Sequence, residues 1–236
     1  MRYLYAVLDA QLPPPDVPGL LDAPLEAVRY ADLQVLTSEL PDDAVTRPAA
    51  STLCAHERVV EAAAAATDAV LPMRFGSAVR DVPRAVDLLA RRHGELAHGL
   101  DRVRGAVELG LRAVRQDEGD PEPPLARQVH DGRAWLVARS AVRRRRAEVT
   151  ASVHEPLAAL ARASRQARRV TAPTVLAASY LVDAGRVDEF RDTARRLSDE
   201  APRAVLVCTG PWPAYSFAPV EGLAGQDTGR LGALAS

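Results

Sequence analysis

The residues best suited to acid–base or metal chemistry are five histidines and two cysteines, and their spacing does not favour a shared site. His93 and His98 are five positions apart, so a helix would place them on different faces. His56 precedes Glu57 directly, but neighbouring helical side chains diverge by about 100° and cannot act together on one proton. We interpret them as a pair on a helix surface. No paired Cys-x-x-Cys, His-Glu-x-x-His or acidic calcium loop occurs. The sequence therefore predicts no bound metal and no cofactor.

Sequence patterns typical of nucleophilic catalysis and of phosphate binding are also missing. Neither a Gly-x-Gly-x-x-Gly turn nor a Gly-x-Ser-x-Gly elbow is present. Cys54 and Cys208 have no clustered partners, and we interpret them as buried thiols in a reducing cytoplasm. We therefore expect a protein that is not an enzyme.

Charge and hydropathy exclude two further classes of protein. The 30 basic residues, all arginine, balance 31 acidic ones and leave a net charge of −1, so no global field attracts nucleic acid. No apolar run approaches the roughly 18 residues that a membrane helix needs. The chain passes from Met1 into a predicted strand without the form of a signal peptide. We expect a cytoplasmic protein that binds neither nucleic acid nor membrane.

The first half of the chain has the pattern of a compact α+β domain. Strands are predicted at residues 2–8, 33–36, 68–75 and 106–114, and helices at 52–66 and 83–103. The first helix is favoured by an alanine run, and the second by apolar residues at three-four spacing after Pro83. This order of elements is similar to a modified ferredoxin-like fold.

Arg74 interrupts an apolar segment of this domain. In an alternating strand, Met73 and Phe75 point to one face and Arg74 to the other. We expect Arg74 to form a structural ion pair with a carboxylate on that second face.

A charged, proline-rich segment separates this half from the next. We place a linker at residues 117–124, between an N-terminal domain (1–116) and a C-terminal α+β domain (125–221), with a flexible tail at 222–236. The second domain is predicted to contain a long amphipathic helix over residues 135–160, bent near Pro156. Strands at 174–182 and 203–209 and a helix at 187–197 complete it.

Four consecutive arginines, at residues 143–146, lie within this long helix. Two interpretations stay open for them. They could form a solvated face whose aliphatic stems cover neighbouring side chains, or they could contact an acidic partner surface.

Three of the chain's few aromatic side chains lie close together near the C-terminus. The segment Gly-Pro-Trp-Pro-Ala-Tyr-Ser-Phe, at residues 210–217, follows a predicted strand and is stiffened by its two prolines. We expect Trp212 to be mainly structural and Tyr215 to lie nearer the surface, with Phe217 as a further anchor of the fold or of an interface.

This segment strongly resembles the C-terminal signature of the gas vesicle accessory proteins GvpF and GvpL. The segment Leu-Pro-Met-Arg-Phe-Gly at residues 71–76 is similar to a second specific motif of that family. Three further segments agree with the family in their order along the chain, namely the opening strand, residues 107–112 and residues 178–182. Residues 107–112 are similar to the strand that closes the family's first domain. The resemblance therefore covers about residues 2–219. Ala214 stands where many relatives carry a second proline.

The resemblance implies a minor structural and accessory protein of gas vesicles, located at the vesicle. It would act in nucleation and assembly of the shell, binding the hydrophobic main shell protein and other gas vesicle accessory proteins. Trp212, Tyr215, Phe217, Arg74 and Phe75 are the interaction or structural anchors that the two motifs contribute. The alternative is a small-molecule enzyme or ligand-binding regulator built on a ferredoxin-like fold, which hosts many unrelated functions.

Overall fold

The structure is a computed structural model that describes residues 1–9, 12–41, 48–115, 140, 144, 147–171, 173–200 and 204–219. Its backbone forms two compact units. The first contains Met1–Val107 and the C-terminal residues from Trp212, and the second contains Glu108–Pro211. Each unit has a sheet and helices of its own, which confirms the predicted α+β class.

The sheet of the first unit is built around its first strand. Its strands are β1 (Arg2–Leu8), β2 (Glu26–Tyr30), β3 (Leu33–Glu39), β4 (Val70–Pro72) and β5 (Ala78–Val79). They lie in the order β2-β3-β1-β4, and β5 also pairs with β1. The pairing of β1 with β3 is antiparallel and places Tyr3 opposite Ser38. Every residue of β1 after Arg2 is buried, as expected for a central strand covered on both faces.

Three helices belong to the first unit: α1 (Ala50–Ala66), α2 (Val82–Arg91) and α3 (His93–Val103). The Asp81 carboxylate caps α2 by accepting the Arg84 N–H at 3.0 Å. The prediction of one helix over residues 83–103 was wrong, because Arg92 leaves helical geometry between α2 and α3. Gly94, a poor helix former, follows this break directly.

The second unit contains four strands: β6 (Ala106–Arg115), β7 (Ala163–Gln166), β8 (Thr174–Asp183) and β9 (Ala204–Trp212). Their order is β7-β8-β6-β9, so β9 is the last strand of this sheet among the described residues. The β7–β8 pair is antiparallel, with Ser164 opposite Tyr180. The predicted strands at 174–182 and 203–209 correspond to β8 and β9.

The continuous described stretch of the predicted long helix covers residues 147–158. A wider, π-helical turn (Thr150–His154) leads into the short helix α4 (Glu155–Ala158). Pro156 has no N–H to donate to the preceding turn, which accounts for irregular geometry at the predicted bend. A further helix, α5 (Val187–Asp199), places Phe190 against Tyr180 with their ring centroids 5.0 Å apart. Of residues 143–146, only Arg144 is described; it is exposed and pairs with Glu148 at 3.9 Å.

The strand predicted at 106–114 is present, and it pairs within the second sheet rather than the first. It is the strand β6, which lies between β8 and β9 in the second sheet. The reason is its apolar face, because Leu109, Leu111 and Ala113 are buried in the core of the second unit. The proposed linker at 117–124, the remainder of the long helix and the tail at 222–236 lie outside the described residues, so the predicted boundary stays a prediction.

Candidate interaction surfaces

Trp212, the central residue of the C-terminal motif, is exposed to solvent. It is the last residue of β9, and 46% of its surface is accessible. The burial that a mainly structural Trp212 would show is therefore not observed. The side chains by which β9 packs on the core of the second unit, Leu206 and Cys208, come earlier in the strand, so Trp212 lies beyond that core.

The other two aromatics of the motif turn inward after Trp212. The Tyr215 N–H donates to the Pro213 carbonyl at 2.8 Å, and the Ala218 N–H donates to the Ala214 carbonyl at 3.0 Å. This turn buries Phe217, which is 2% exposed, and the Arg102 guanidinium lies 5.8 Å from the centre of its ring. Tyr215 packs against the core of the first unit rather than facing solvent. The predicted exposures of these two residues are therefore reversed, because Trp212 is exposed and Tyr215 packs against the core.

The Tyr215 hydroxyl lies buried near Glu57 of α1. It forms no hydrogen bond of standard geometry with a described residue. Burial raises the pKa of Tyr215, and the negative charge of Glu57 raises it further. Burial also raises the pKa of the Glu57 carboxyl. Both shifts disfavour the charged forms, and we interpret the packing of Tyr215 against the first unit's core as what holds the C-terminal segment in place.

Further contacts hold the end of this segment on α3. The Arg92 guanidinium donates to the Pro219 carbonyl at 2.6 Å and also pairs with Glu95. Gly99 lets the segment approach closely, because a Cβ there would lie 2.9 Å from the Pro219 ring. The last described residues are thus part of the first unit's packing.

A buried histidine connects the segment at residues 71–76 with the opening strand β1. The His56 Nε2–H donates to the Met73 carbonyl at 3.0 Å, which leaves Nδ1 to accept from the Tyr3 hydroxyl at 3.0 Å. The same hydroxyl accepts the Gly76 N–H at 2.9 Å. Burial lowers the pKa of His56 to about 4, so the ring is neutral at neutral pH. The interpretation of His56 and Glu57 as a surface pair was wrong, because α1 turns His56 into the core.

Phe75 completes this cluster, whereas Arg74 points away from it. The Phe75 ring packs edge-on against His56 and Tyr3, with centroid distances of 5.8 Å and 6.1 Å. Met73 is fully buried and Arg74 is exposed, but the strand predicted at 68–75 was too long, because β4 ends at Pro72 and these residues follow it. The ion pair expected for Arg74 stays a prediction.

We expect Tyr3→Phe to destabilise the protein by about 1–3 kcal/mol, because it leaves the Gly76 N–H and His56 Nδ1 buried without a partner. Urea denaturation followed by circular dichroism measures this loss. The matched control is Tyr30→Phe, which changes an exposed tyrosine of β2 and should alter stability by less than about 0.5 kcal/mol. Equal stability of the two variants would show that the hydroxyl network contributes nothing.

The strand β9 presents an apolar strip to solvent, which we call the β9 strip and define as Val205 and Val207. These side chains are 38% and 45% exposed, whereas the intervening Leu206 packs on the core of the second unit. No residue of β9 carries a charge. Edge strands are usually protected from pairing by charged side chains, so an uncharged, valine-rich edge is suited to binding another apolar chain.

The described residues offer neither a cluster of metal ligands nor a membrane-spanning helix. No group of three His, Cys, Asp or Glu side chains among them could hold a metal ion, and no described helix is long and apolar enough to cross a bilayer. Both cysteines are free thiols. Cys54 is exposed on α1, so its predicted burial was wrong, and Cys208 is partly buried.

Sequence reasoning missed the Tyr3–His56 network and the β9 strip. Tyr3 and His56 are 53 positions apart, and no local pattern relates them. The β9 strip lies within the apolar run at 204–208, which predicts a strand without showing whether one or both of its faces are buried. An edge strand of the same composition exposes every second residue.

Comparison with known proteins gives one consistent family. A family model described as "Gas vesicle synthesis protein GvpL/GvpF" matches residues 1–219. Gas vesicle protein L of a Streptomyces strain is 30% identical, with 96% of this chain and 95% of the relative covered. Gas vesicle protein F1 of Halobacterium salinarum is 25% identical, with 97% and 98% covered.

Solved structures show the same fold. The crystal structure of gas vesicle protein GvpF from Anabaena superposes with a TM-score of 0.78 at 18% identity, covering 92% of this chain and 95% of that one. The corresponding values for GvpF from Microcystis aeruginosa are 0.75 and 18%, with 92% and 98% covered. The match over both sequence motifs and nearly the whole length leads to one conclusion: the chain belongs to the gas vesicle GvpL/GvpF family.

Proposed function

We propose that this protein acts in the nucleation and assembly of the gas vesicle shell, by binding the hydrophobic main shell protein and preventing its aggregation. On this proposal it works in the cytoplasm at the growing vesicle, alongside other gas vesicle accessory proteins, and performs no catalysis. Membership of the gas vesicle GvpL/GvpF family supports a role in gas vesicles. The β9 strip supports the more specific role of binding the main shell protein.

The physical argument begins with the shell protein. A shell that keeps liquid water out needs subunits with large apolar surfaces, and such subunits aggregate when they are free. A partner that covers them must offer an apolar surface of its own. Val205 and Val207 provide one on an uncharged edge strand.

The rival proposal, a small-molecule enzyme or ligand-binding regulator, would be favoured by perturbed titratable groups that face a cavity. The strongly perturbed His56 instead bonds to its own chain, through Met73 and Tyr3. These bonds support a structural role for His56.

The test is an aggregation assay with purified shell protein diluted from denaturant. We expect the full-length protein to suppress light scattering, and Val207→Glu to raise the concentration needed by about tenfold or more, because a charge would be buried at the apolar contact. The matched control is Leu53→Glu, which alters an equally exposed apolar side chain on α1. Thermal melts verify that both variants are folded.

Two results would contradict the proposal. If the unaltered protein leaves the scattering unchanged, shell binding is not its role. If Leu53→Glu and Val207→Glu lose activity equally, the β9 strip is not the surface that binds the shell protein.

A further inference from the structure

The second unit carries a strongly basic region. Residues 156–182 contain four arginines, Arg162, Arg165, Arg168 and Arg169, and no Asp or Glu. All four are exposed. Since the whole chain has a net charge of −1, this concentration of positive charge is local. It is separate from the residues used in the proposed function above.

The fold brings a fifth arginine to the same place. Arg168 and Arg169 lie in the loop between β7 and β8, which is closed by a hydrogen bond from the Ala167 N–H to the Ala177 carbonyl at 2.8 Å. At the other end of this loop, the Pro173 carbonyl accepts the Arg115 N–H at 3.0 Å. The end of β6 is therefore attached to the loop. We call Arg115, Arg168 and Arg169 the arginine surface.

These arginines differ from most others in their pairing. Ten other described arginines form ion pairs with carboxylates, namely Arg2, Arg84, Arg91, Arg92, Arg104, Arg144, Arg162, Arg186, Arg195 and Arg196. Within the described part of the chain, the side chains of Arg115, Arg168 and Arg169 pair with no carboxylate. Their positive charges are therefore available to a partner.

We propose that the arginine surface docks an acidic segment of a partner protein. Guanidinium groups bind carboxylates through paired N–H donors, so clustered arginines favour a segment with several Asp or Glu side chains. The loop sequence Ala-Arg-Arg-Val-Thr-Ala-Pro, at residues 167–173, contains no aromatic side chain. Single-stranded nucleic acid usually stacks its bases on such side chains, so the composition favours a protein partner.

The test measures binding of a fluorescent ten-residue polyglutamate peptide to the full-length protein by anisotropy at 0.15 M salt. We expect the double variant Arg168→Glu, Arg169→Glu to weaken binding by tenfold or more. The matched control, Arg84→Glu with Arg91→Glu on α2, makes the same charge change and should weaken it by less than about twofold, because both side chains already pair with Asp87 on their own helix. Thermal melts verify that both variants remain folded.

Two further binding measurements test whether something other than an acidic partner protein occupies the arginine surface. One replaces Asp117, Glu118, Asp120 and Glu122, the acidic residues that follow β6 in the sequence, with their amides. Unchanged peptide binding supports a partner in trans, whereas tenfold tighter binding means that the chain's own acidic segment competes, and overturns the proposal. The other arm uses single-stranded DNA of equal charge. Tighter binding of DNA than of peptide, or equal losses in the two charge-reversal variants, also overturns it.

Discussion

Replacing Phe217 with alanine is expected to lower the free energy of unfolding by about 3–5 kcal/mol, the usual cost of removing a buried aromatic side chain. Phe217 is buried in the first unit beneath the Arg102 guanidinium, so truncation removes apolar contacts and leaves a cavity. The loss corresponds to a melting temperature lower by roughly 6–20 °C. Differential scanning calorimetry at neutral pH measures it.

The matched control for this variant lies five residues away in the same segment. Trp212→Ala removes a larger side chain, but one that is 46% exposed, and should cost less than about 1 kcal/mol. The contrast therefore tests burial rather than residue size. If Trp212→Ala destabilises the protein as much as Phe217→Ala does, the inward turn after Trp212 is incorrect.

The second large effect is a loss of stability in mild acid caused by His56. Burial lowers the pKa of this ring to about 4 in the folded protein, against about 6.5 for an exposed histidine. Between these values the unfolded chain binds a proton that the folded protein does not. Stability is therefore complete above pH 6.5 and falls as the pH decreases to 4. The difference of about 2.5 pH units corresponds to about 3 kcal/mol.

Comparison with His56→Gln isolates this contribution. Glutamine does not titrate, so we expect the stability advantage of the unaltered protein over this variant to shrink by about 3 kcal/mol between pH 7 and pH 4. Glu57, whose raised pKa acts in the opposite sense, titrates in both proteins and largely cancels. Urea denaturation at half-unit pH intervals measures the difference.

An exposed histidine provides the control for the pH experiment. His98→Gln, on α3, makes the same substitution at an exposed position and controls for the change of side chain itself. A pH-independent difference between His56→Gln and the unaltered protein would mean that the buried ring does not titrate between pH 4 and pH 7. In that case the hydrogen bonds from His56 to Met73 and Tyr3 would contribute to stability without a proton linkage.

The two proposed binding surfaces, the β9 strip and the arginine surface, rely on different kinds of chemistry. Val205 and Val207 offer an apolar contact, which suits a hydrophobic subunit and is insensitive to salt. Arg115, Arg168 and Arg169 offer a charged contact, which weakens as salt increases. The two proposals therefore predict different salt responses, and either can fail while the other stands.

Much of the local structure was predictable from the sequence. The alanine run of α1 and the apolar run of β8 each depend on residues close together in the chain. The family was predictable for a similar reason, because the motifs at 71–76 and 210–217 are continuous segments whose order is visible without a structure. The spacing of apolar residues and the residue order of a motif are both properties of short, continuous segments.

The tertiary structure alone decided which segments meet. The strand β6 joins the second sheet rather than the first because its apolar face, with Leu109 and Leu111, is buried with residues of β8 and α5 that are 65 or more positions later. The opposite burial of Trp212 and Phe217 and the bond between Tyr3 and His56 depend in the same way on distant contacts. Hydrophobic side chains bury wherever the assembled fold offers a core, and no pattern within a short window specifies which distant segment provides it.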